Sequence, residues 1–245
     1  MMLDPRVLPS FPETRWSRVL RARRADRRDD QAERALAELC EIYWLPLNAY
    51  ARSCGHSPQD AEDLTQGFFR RLIERGLFAK ADPARGRLRS FLLGAFKHFM
   101  SEQSRQASRQ KRGSGQTAIP LHELQGEEVR ANARAHSQTP EELFDRVWFD
   151  VMLEQALKEL EREYCGRGKS ELFLKLQDFL AWNRKDGRLA AAARDLDMSP
   201  GAVRVAILRM RQRFRELLER QIAETVGTPA EAAEELSHLR RVLGA

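Results

Sequence analysis

Cysteine is scarce in this 245-residue chain: Cys40, Cys54 and Cys165 are odd in number and show no CxxC spacing. That excludes a disulfide framework, leaves a zinc site without a ligand pattern, and fits a reducing cytoplasm. Cys54-Gly55-His56 comes nearest to a ligand pair, but two donors without partners read as packing and loop residues. No metal and no cofactor is expected. Long apolar runs are missing as well. No charge-free stretch approaches the roughly 18 residues of a spanning helix, and the opening MMLDPRVLP lacks a basic region followed by an apolar one. The expectation is a cytoplasmic protein with no membrane contact. Lysine is the third shortage, with 7 Lys beside 35 Arg among the 42 basic residues. Arg is the side chain suited to phosphate and to bidentate contacts with base edges, so the net charge of +6 points to an anionic partner.

The charge is unevenly placed. Arg85 to Arg112 holds eight basic residues against the single acid Glu102, whereas Leu121 to Glu163 holds eleven acids against five bases. Apolar residues recur at helical spacing through almost every segment, no internal repeat appears, and the length suits two modest domains. An all-α fold of two helical domains joined by a flexible linker is expected.

Leu36, Leu39, Cys40, Tyr43, Leu47 and Tyr50 mark an amphipathic helix with Pro46 inside it. After Gly55, Ser57-Pro58-Gln59-Asp60 supplies an N-cap, a first-turn proline and a third-position acid. The helix that begins there turns Ala61, Leu64, Phe68 and Leu72 inward and leaves Asp60, Glu62, Asp63 and Gln66 to solvent or a partner. Lys80 to Arg87 reads as an ordered loop. A third helix follows with Leu88, Phe91, Leu92, Ala95, Phe96 and Phe99 inward, and its end carries a basic stripe of Lys97, Arg105, Arg109 and Arg112. The first domain spans 1–112, and 113–138, poor in large apolar residues, is the linker. Thr139-Pro140-Glu141-Glu142 repeats the capping pattern and opens a second domain, 139–226, whose first helix is expected to bury Val147, Val151, Leu157, Leu160 and Tyr164. A short tail helix in 227–245 presents Ala232, Leu236, Leu239 and Leu243 on one face.

Within the second domain, Ala192 to Leu218 reads as two helices joined by a tight turn. Ser199 is placed to cap the second helix and Pro200 to occupy its first position. Val203, Ile207, Met210 and Phe214 form its apolar stripe, so Ala202, Arg204, Val205 and Arg209 point elsewhere. An apolar back and a basic front on the second helix of such a pair is the geometry that enters a DNA major groove, a helix-turn-helix.

The order of parts, and above all Asp60-Ala61-Glu62-Asp63-Leu64-Thr65-Gln66-Gly67-Phe68-Phe69, resembles the extracytoplasmic function group of sigma-70 family RNA polymerase sigma factors, whose pattern is D-A-E-D-x-x-Q-x-x-F. GRLRSFLLGAFKHF, KRGSG and MSPGAVRVAILRMRQRF look especially like its larger planctomycete-type members, and the likeness covers about Trp16 to Val226. The resemblance implies a non-enzymatic protein with no catalytic residues that binds core RNA polymerase and directs it to promoter DNA. Asp60, Glu62, Asp63, Gln66 and Phe69 would contact the polymerase. Lys80, Arg85, Arg87, Arg89, Lys97, His98, Arg105 and Arg109 would hold the minus-ten promoter element. Ser199, Ala202, Arg204, Val205 and Arg209 would read the minus-thirty-five element. An anti-sigma factor or other regulator is a further partner of this kind of protein. Asp197 stands where the family usually has the Gly of the turn, a position that calls for positive φ.

Two other readings compete. A helix-turn-helix regulator that never joins polymerase would use the same helix pair and leave the acidic motif unexplained. An enzyme holding a divalent metal on Asp60, Glu62 and Asp63 is disfavoured, because adjacent acids on one helix point in different directions and no distant cluster completes the site.

Overall fold

The computed structural model describes residues 30–75, 87–113, 139–180, 186–226, 231–235 and 237. Every regular element among them is helical: α1 (Asp30–Ser53), α2 (Pro58–Glu74), α3 (Leu88–Gly113), α4 (Pro140–Gly166), α5 (Ser170–Leu176) running into a 3₁₀ turn at Gln177–Phe179, α6 (Asp186–Asp195) and α7 (Pro200–Ala223). The fold is all-α. Residues 231–235 add a short helical stretch. Nearly all of the expected linker, the loop before Arg87, and the tail positions Leu236, Leu239 and Leu243 lie outside the described residues.

Packing divides these residues into two units, one made of those up to Val151 together with those from Ala223 onward, the other of Met152–Ile222. The dividing line falls inside α4, whereas the sequence places a boundary in front of that helix. The reason lies in the first turns of α4: Phe144, Trp148 and Phe149 are buried and belong to the first unit.

In that unit α1, α2 and α3 pack on one another around Leu39, Ile42, Tyr43, Leu47, Phe68, Leu72, Leu92 and Phe96, all essentially inaccessible to solvent. The aromatic rings interlock. Phe68 meets Phe96 edge-on at 5.1 Å between centroids, Phe99 at 5.9 Å, and Phe96 meets Tyr50 at 6.3 Å. A Cβ on Gly67 would sit 3.3 Å from Phe99 Cζ, so α2 approaches α3 as closely as the missing side chain allows. Deleting one buried ring here, as in Phe68→Ala, forfeits its transfer energy and leaves a cavity, about 3–5 kcal/mol together.

The second unit closes around Ala156, Leu160, Phe173, Leu176, Ala192, Ala193, Val203, Ile207, Met210 and Leu217. Polar clamps hold α7 along the far half of α4. Arg213 donates from Nε and Nη2 to Glu163 at 2.9 and 2.6 Å, Arg220 pairs with Glu159, and Gln221 Nε2 donates to Glu159 at 3.1 Å.

Local chemistry sets the helix ends. The Thr139 hydroxyl accepts from the Glu142 N–H at 3.2 Å while the Glu142 carboxylate accepts from the Thr139 N–H at 2.8 Å, a reciprocal capping box. At the far end of α6 the chain turns through Asp197, whose φ is +48°. The Met198 N–H donates to the Ala193 carbonyl at 2.9 Å and the Asp197 N–H to the Arg194 carbonyl at 3.3 Å. These are the two bonds of a Schellman ending with Asp in the left-handed position that glycine usually fills. The positive φ expected at Asp197 is therefore present.

In α4 the fully buried row is Phe144, Trp148, Met152, Ala156 and Leu160, while Val147, Val151, Leu157 and Tyr164 are only partly covered. The expected stripe is displaced around the helix. This helix has apolar residues on several sides, and its sequence holds too little contrast to fix which row lies deepest.

Candidate functional site

Three surfaces carry the residues singled out by the sequence. The first is the start of α2. Ser57 caps the helix through its hydroxyl oxygen, which accepts from the Asp60 N–H at 3.1 Å and in turn donates to Asp60 Oδ2 at 2.6 Å. Ala61, Thr65, Phe68, Phe69 and Leu72 fill the inner side, and the Thr65 hydroxyl donates to the Ala61 carbonyl at 2.7 Å. Asp60, Glu62, Asp63 and Gln66 are exposed together on the outer side, and the side chains of the last three bond to no other described residue. The result is an acidic row on a helix whose other face is already closed. Phe69 does not join it. Its ring is 5 % exposed and stacks on Trp44 with centroids 6.0 Å apart, because Trp44 of α1 covers the outer edge of the aromatic cluster. The assignment of Phe69 to a partner surface is corrected accordingly: it is a core residue.

The second surface is the basic face of α3, and here the structure departs furthest from the sequence reading. Arg89 is 6 % exposed. Its Nη2 donates to Glu235 Oε2 at 3.1 Å, its Nε to Glu235 Oε1 and its Nη1 to Asp145 Oδ1, and its guanidinium lies 5.5 Å from the centre of the Trp148 ring. Burial alone would lower its pKa, but the carboxylates of Glu235 and Asp145 outweigh it and raise the value above that of an ordinary Arg. Arg89 is thus a buried tie between α3, α4 and the tail, and is not presented to DNA. Arg87 is half-buried and pairs with Glu234 at 3.1 Å and Glu235 at 2.7 Å. Lys97 pairs with Glu141, and its Nζ also stands 5.5 Å from the centre of the Tyr50 ring. The Lys97 bond in turn holds the Glu141 carboxyl below the usual range.

Further along α3 the basic side chains stay outward. His98 is exposed, with Nδ1 3.4 Å from Glu102, and Arg105 donates to Ser101 Oγ at 3.1 Å. Arg109 lies in α3, while its side chain, like Lys80 and Arg85, is outside the described residues. Phe96 and Phe99 are buried and Phe91 is partly covered, so these rings are core.

The third surface is α7. Ser199 Oγ accepts from the Ala202 N–H at 3.2 Å and Pro200 is the first helical residue, as the sequence implies. Val203, Ile207 and Met210 are buried and Phe214 partly so. Ser199, Arg204, Val205 and Arg209 are exposed and Ala202 is half-buried. Neither Arg204 nor Arg209 bonds through its side chain to another described residue. Leu208, 68 % exposed on the same face, was not legible as a surface residue from the apolar pattern alone. Its signal is its phase: it follows Ile207 of the buried stripe by one residue and is therefore turned about 100° away.

Among the described residues no three of His, Cys, Asp and Glu come together as a metal-holding group, and no helix is long and apolar enough to cross a membrane. None of the three cysteines is in a disulfide, and burial pushes the Cys40 thiol up to about 11, with Glu41 adding to the shift. Comparison with protein-family models, with curated proteins and with solved structures gives no match to this chain.

Proposed function

We propose that the chain is a sigma factor of the extracytoplasmic function type, which binds core RNA polymerase through α2, directs it to promoters in part through α7, and acts in the cytoplasm. The observation that carries this reading is the acidic row of α2. Glu62, Asp63 and Gln66 are exposed, with no side-chain partner among the described residues, on a helix packed on its other side, in the motif that gives the chain its resemblance to this group. A fold has little use for several like charges on one exposed surface, since exposed carboxylates add under about 1 kcal/mol to stability. A basic partner surface gives them a role, and charge complementarity of that kind governs association. The α6–α7 pair supports the promoter half of the reading. Its second helix is capped, begins at a fixed residue, buries its apolar stripe and turns outward two Arg that have no partner among the described residues, as a helix-turn-helix reader requires.

One observation favours a second reading. Arg87, Arg89 and Lys97, which the resemblance assigns to the minus-ten element, are engaged by Glu141, Asp145, Glu234 and Glu235 of the same chain. A helix-turn-helix regulator that does not join polymerase needs no such face. One experiment separates the two: capture of purified core polymerase by the tagged full chain in the absence of DNA, followed by run-off transcription from a genomic library. A sigma factor captures polymerase and yields discrete start sites. Failure to capture it, with duplex binding retained, gives the assignment to the plain regulator.

A further inference from the structure

On α7 the side turned away from the core carries Gly201, Arg204, Val205, Leu208 and Arg209. Val205 is 46 % exposed and Leu208 68 %, two large apolar side chains left in water on a helix whose core stripe is already complete. They lie three residues apart and are therefore neighbours on one face. Their setting restricts what can cover them. Arg204 and Arg209 stand beside the pair, both free of partners among the described residues, and the helix has no acid before Glu216. The partner must therefore be anionic at its rim and apolar at two points in its floor.

A DNA major groove has that character. Its walls are phosphate, guanine presents N7 and O6 to Arg, and the one apolar group any base presents there is the C5 methyl of thymine. Residues 205 and 208 are about 4.5 Å apart along the helix axis at about 1.5 Å per residue. Successive base pairs are about 3.4 Å apart. Two side chains so spaced reach neighbouring base steps. We infer that α7 reads thymine through its methyl group with Val205 and Leu208, between guanine contacts made by Arg204 and Arg209, so that the preferred duplex holds two nearby thymines flanked by guanine. The inference rests on the reading of α7 as a duplex-binding helix and adds to it the base that the apolar pair selects.

Uracil differs from thymine by that methyl alone, which makes the test direct. The full chain, alone and with core polymerase, selects duplexes from a randomised library, and each thymine of the enriched site is then replaced singly by deoxyuridine. Burying one methyl is worth about 0.8 kcal/mol, so loss of each contacted methyl should weaken binding about fourfold. Leu208→Ala should abolish the thymine-over-uracil preference at one position and Val205→Ala at its neighbour. Both side chains are exposed, so the variants should keep the helical circular dichroism of the parent. An enriched site whose binding is indifferent to uracil, or a Leu208→Ala chain that keeps the full preference, overturns the inference and leaves α7 a duplex reader. No enriched site, together with Arg204→Ala and Arg209→Ala binding duplex like the parent, removes the reading of α7 and the inference with it. Loss of polymerase capture by Val205→Ala and Leu208→Ala, with the uracil effect absent, makes the pair a protein-docking surface instead.

Discussion

Arg89 Nε and Nη2 both donate to the carboxylate of Glu235, which lies 146 residues further along the chain. Glu235 is 1 % exposed, so the pair is a buried charge contact, and the third guanidinium nitrogen, Nη1, donates to Asp145. Removing one member of such a pair leaves the other charged and dehydrated, at a cost of about 3–5 kcal/mol, far more than the pair itself contributes over an apolar replacement. Glu235→Ala should therefore lower stability by about 3 kcal/mol, with Asp145 limiting the damage. Truncation from Thr228 should do at least as much, since it also takes Glu234 from Arg87. Urea unfolding followed by circular dichroism measures both. A truncated chain as stable as the parent would show that the tail carries none of this load.

Asp197 permits a prediction of opposite sign. It holds a φ of +48°, which costs a residue with a Cβ about 1–2 kcal/mol relative to glycine, less for Asp. Asp197→Gly should be neutral or stabilising by up to about 1 kcal/mol, and Asp197→Val should destabilise by about 2 kcal/mol. Neither should alter the far-ultraviolet spectrum of the folded state. A Val variant as stable as the parent would mean that the turn relaxes to another conformation.

The contrast between these two residues marks how far the sequence could be read. Asp197, Ser57, Thr139 and Ser199 act on groups within a few residues of themselves, so capping and turn chemistry located the ends of α2, α4, α6 and α7. Arg89 was counted among the basic residues around the third helix because its neighbours in sequence are basic, while its partners lie 56 and 146 residues away. Local charge cannot announce a distant carboxylate. Phe69 was misplaced for a related reason. The resemblance set it on the partner surface as the last residue of the motif, and Trp44 of another helix is what covers it. Of the candidate sites, the acidic row of α2 and, Leu208 apart, the outer face of α7 were legible because helical phase exposes them.

Acid should loosen the second unit. The bond from Arg213 holds the Glu163 carboxyl below its ordinary range, and Glu159 is likewise lowered because Arg220 and Gln221 outweigh the effect of its burial. A carboxylate whose pKa is depressed on folding contributes stability that is fully present above its unfolded value of about 4.3 and is lost as pH falls through the lower folded value. Glu163→Gln should therefore be less stable than the parent at neutral pH and close to it near pH 3, so that its stability changes less between the two. Unfolding midpoints of parent and variant across about pH 3 to 7 check this. Parallel curves would mean that the Arg213 contact does not distinguish folded from unfolded chain.

Charge reversal on α2 separates a fold role from an interface role. Asp60 takes part in the cap, since Ser57 Oγ accepts from its N–H and donates to its carboxylate, whereas Asp63 has no side-chain partner among the described residues. Asp60→Arg should therefore cost about 1 kcal/mol, the usual loss when a cap is disturbed, together with the repulsion of a cation at a helix N-terminus. Asp63→Arg should leave unfolding within about 0.5 kcal/mol of the parent, as exposed substitutions do. On polymerase the order changes. A like charge set against a basic partner surface costs several kcal/mol in association wherever it sits in the interface. Asp63→Arg, although nearly silent in stability, should weaken capture of core polymerase by a factor of about 100 or more and abolish promoter-directed run-off. If Asp63→Arg captures polymerase like the parent while Asp60→Arg loses both stability and capture, the acidic row serves the start of its own helix, and α2 is not the polymerase-binding surface.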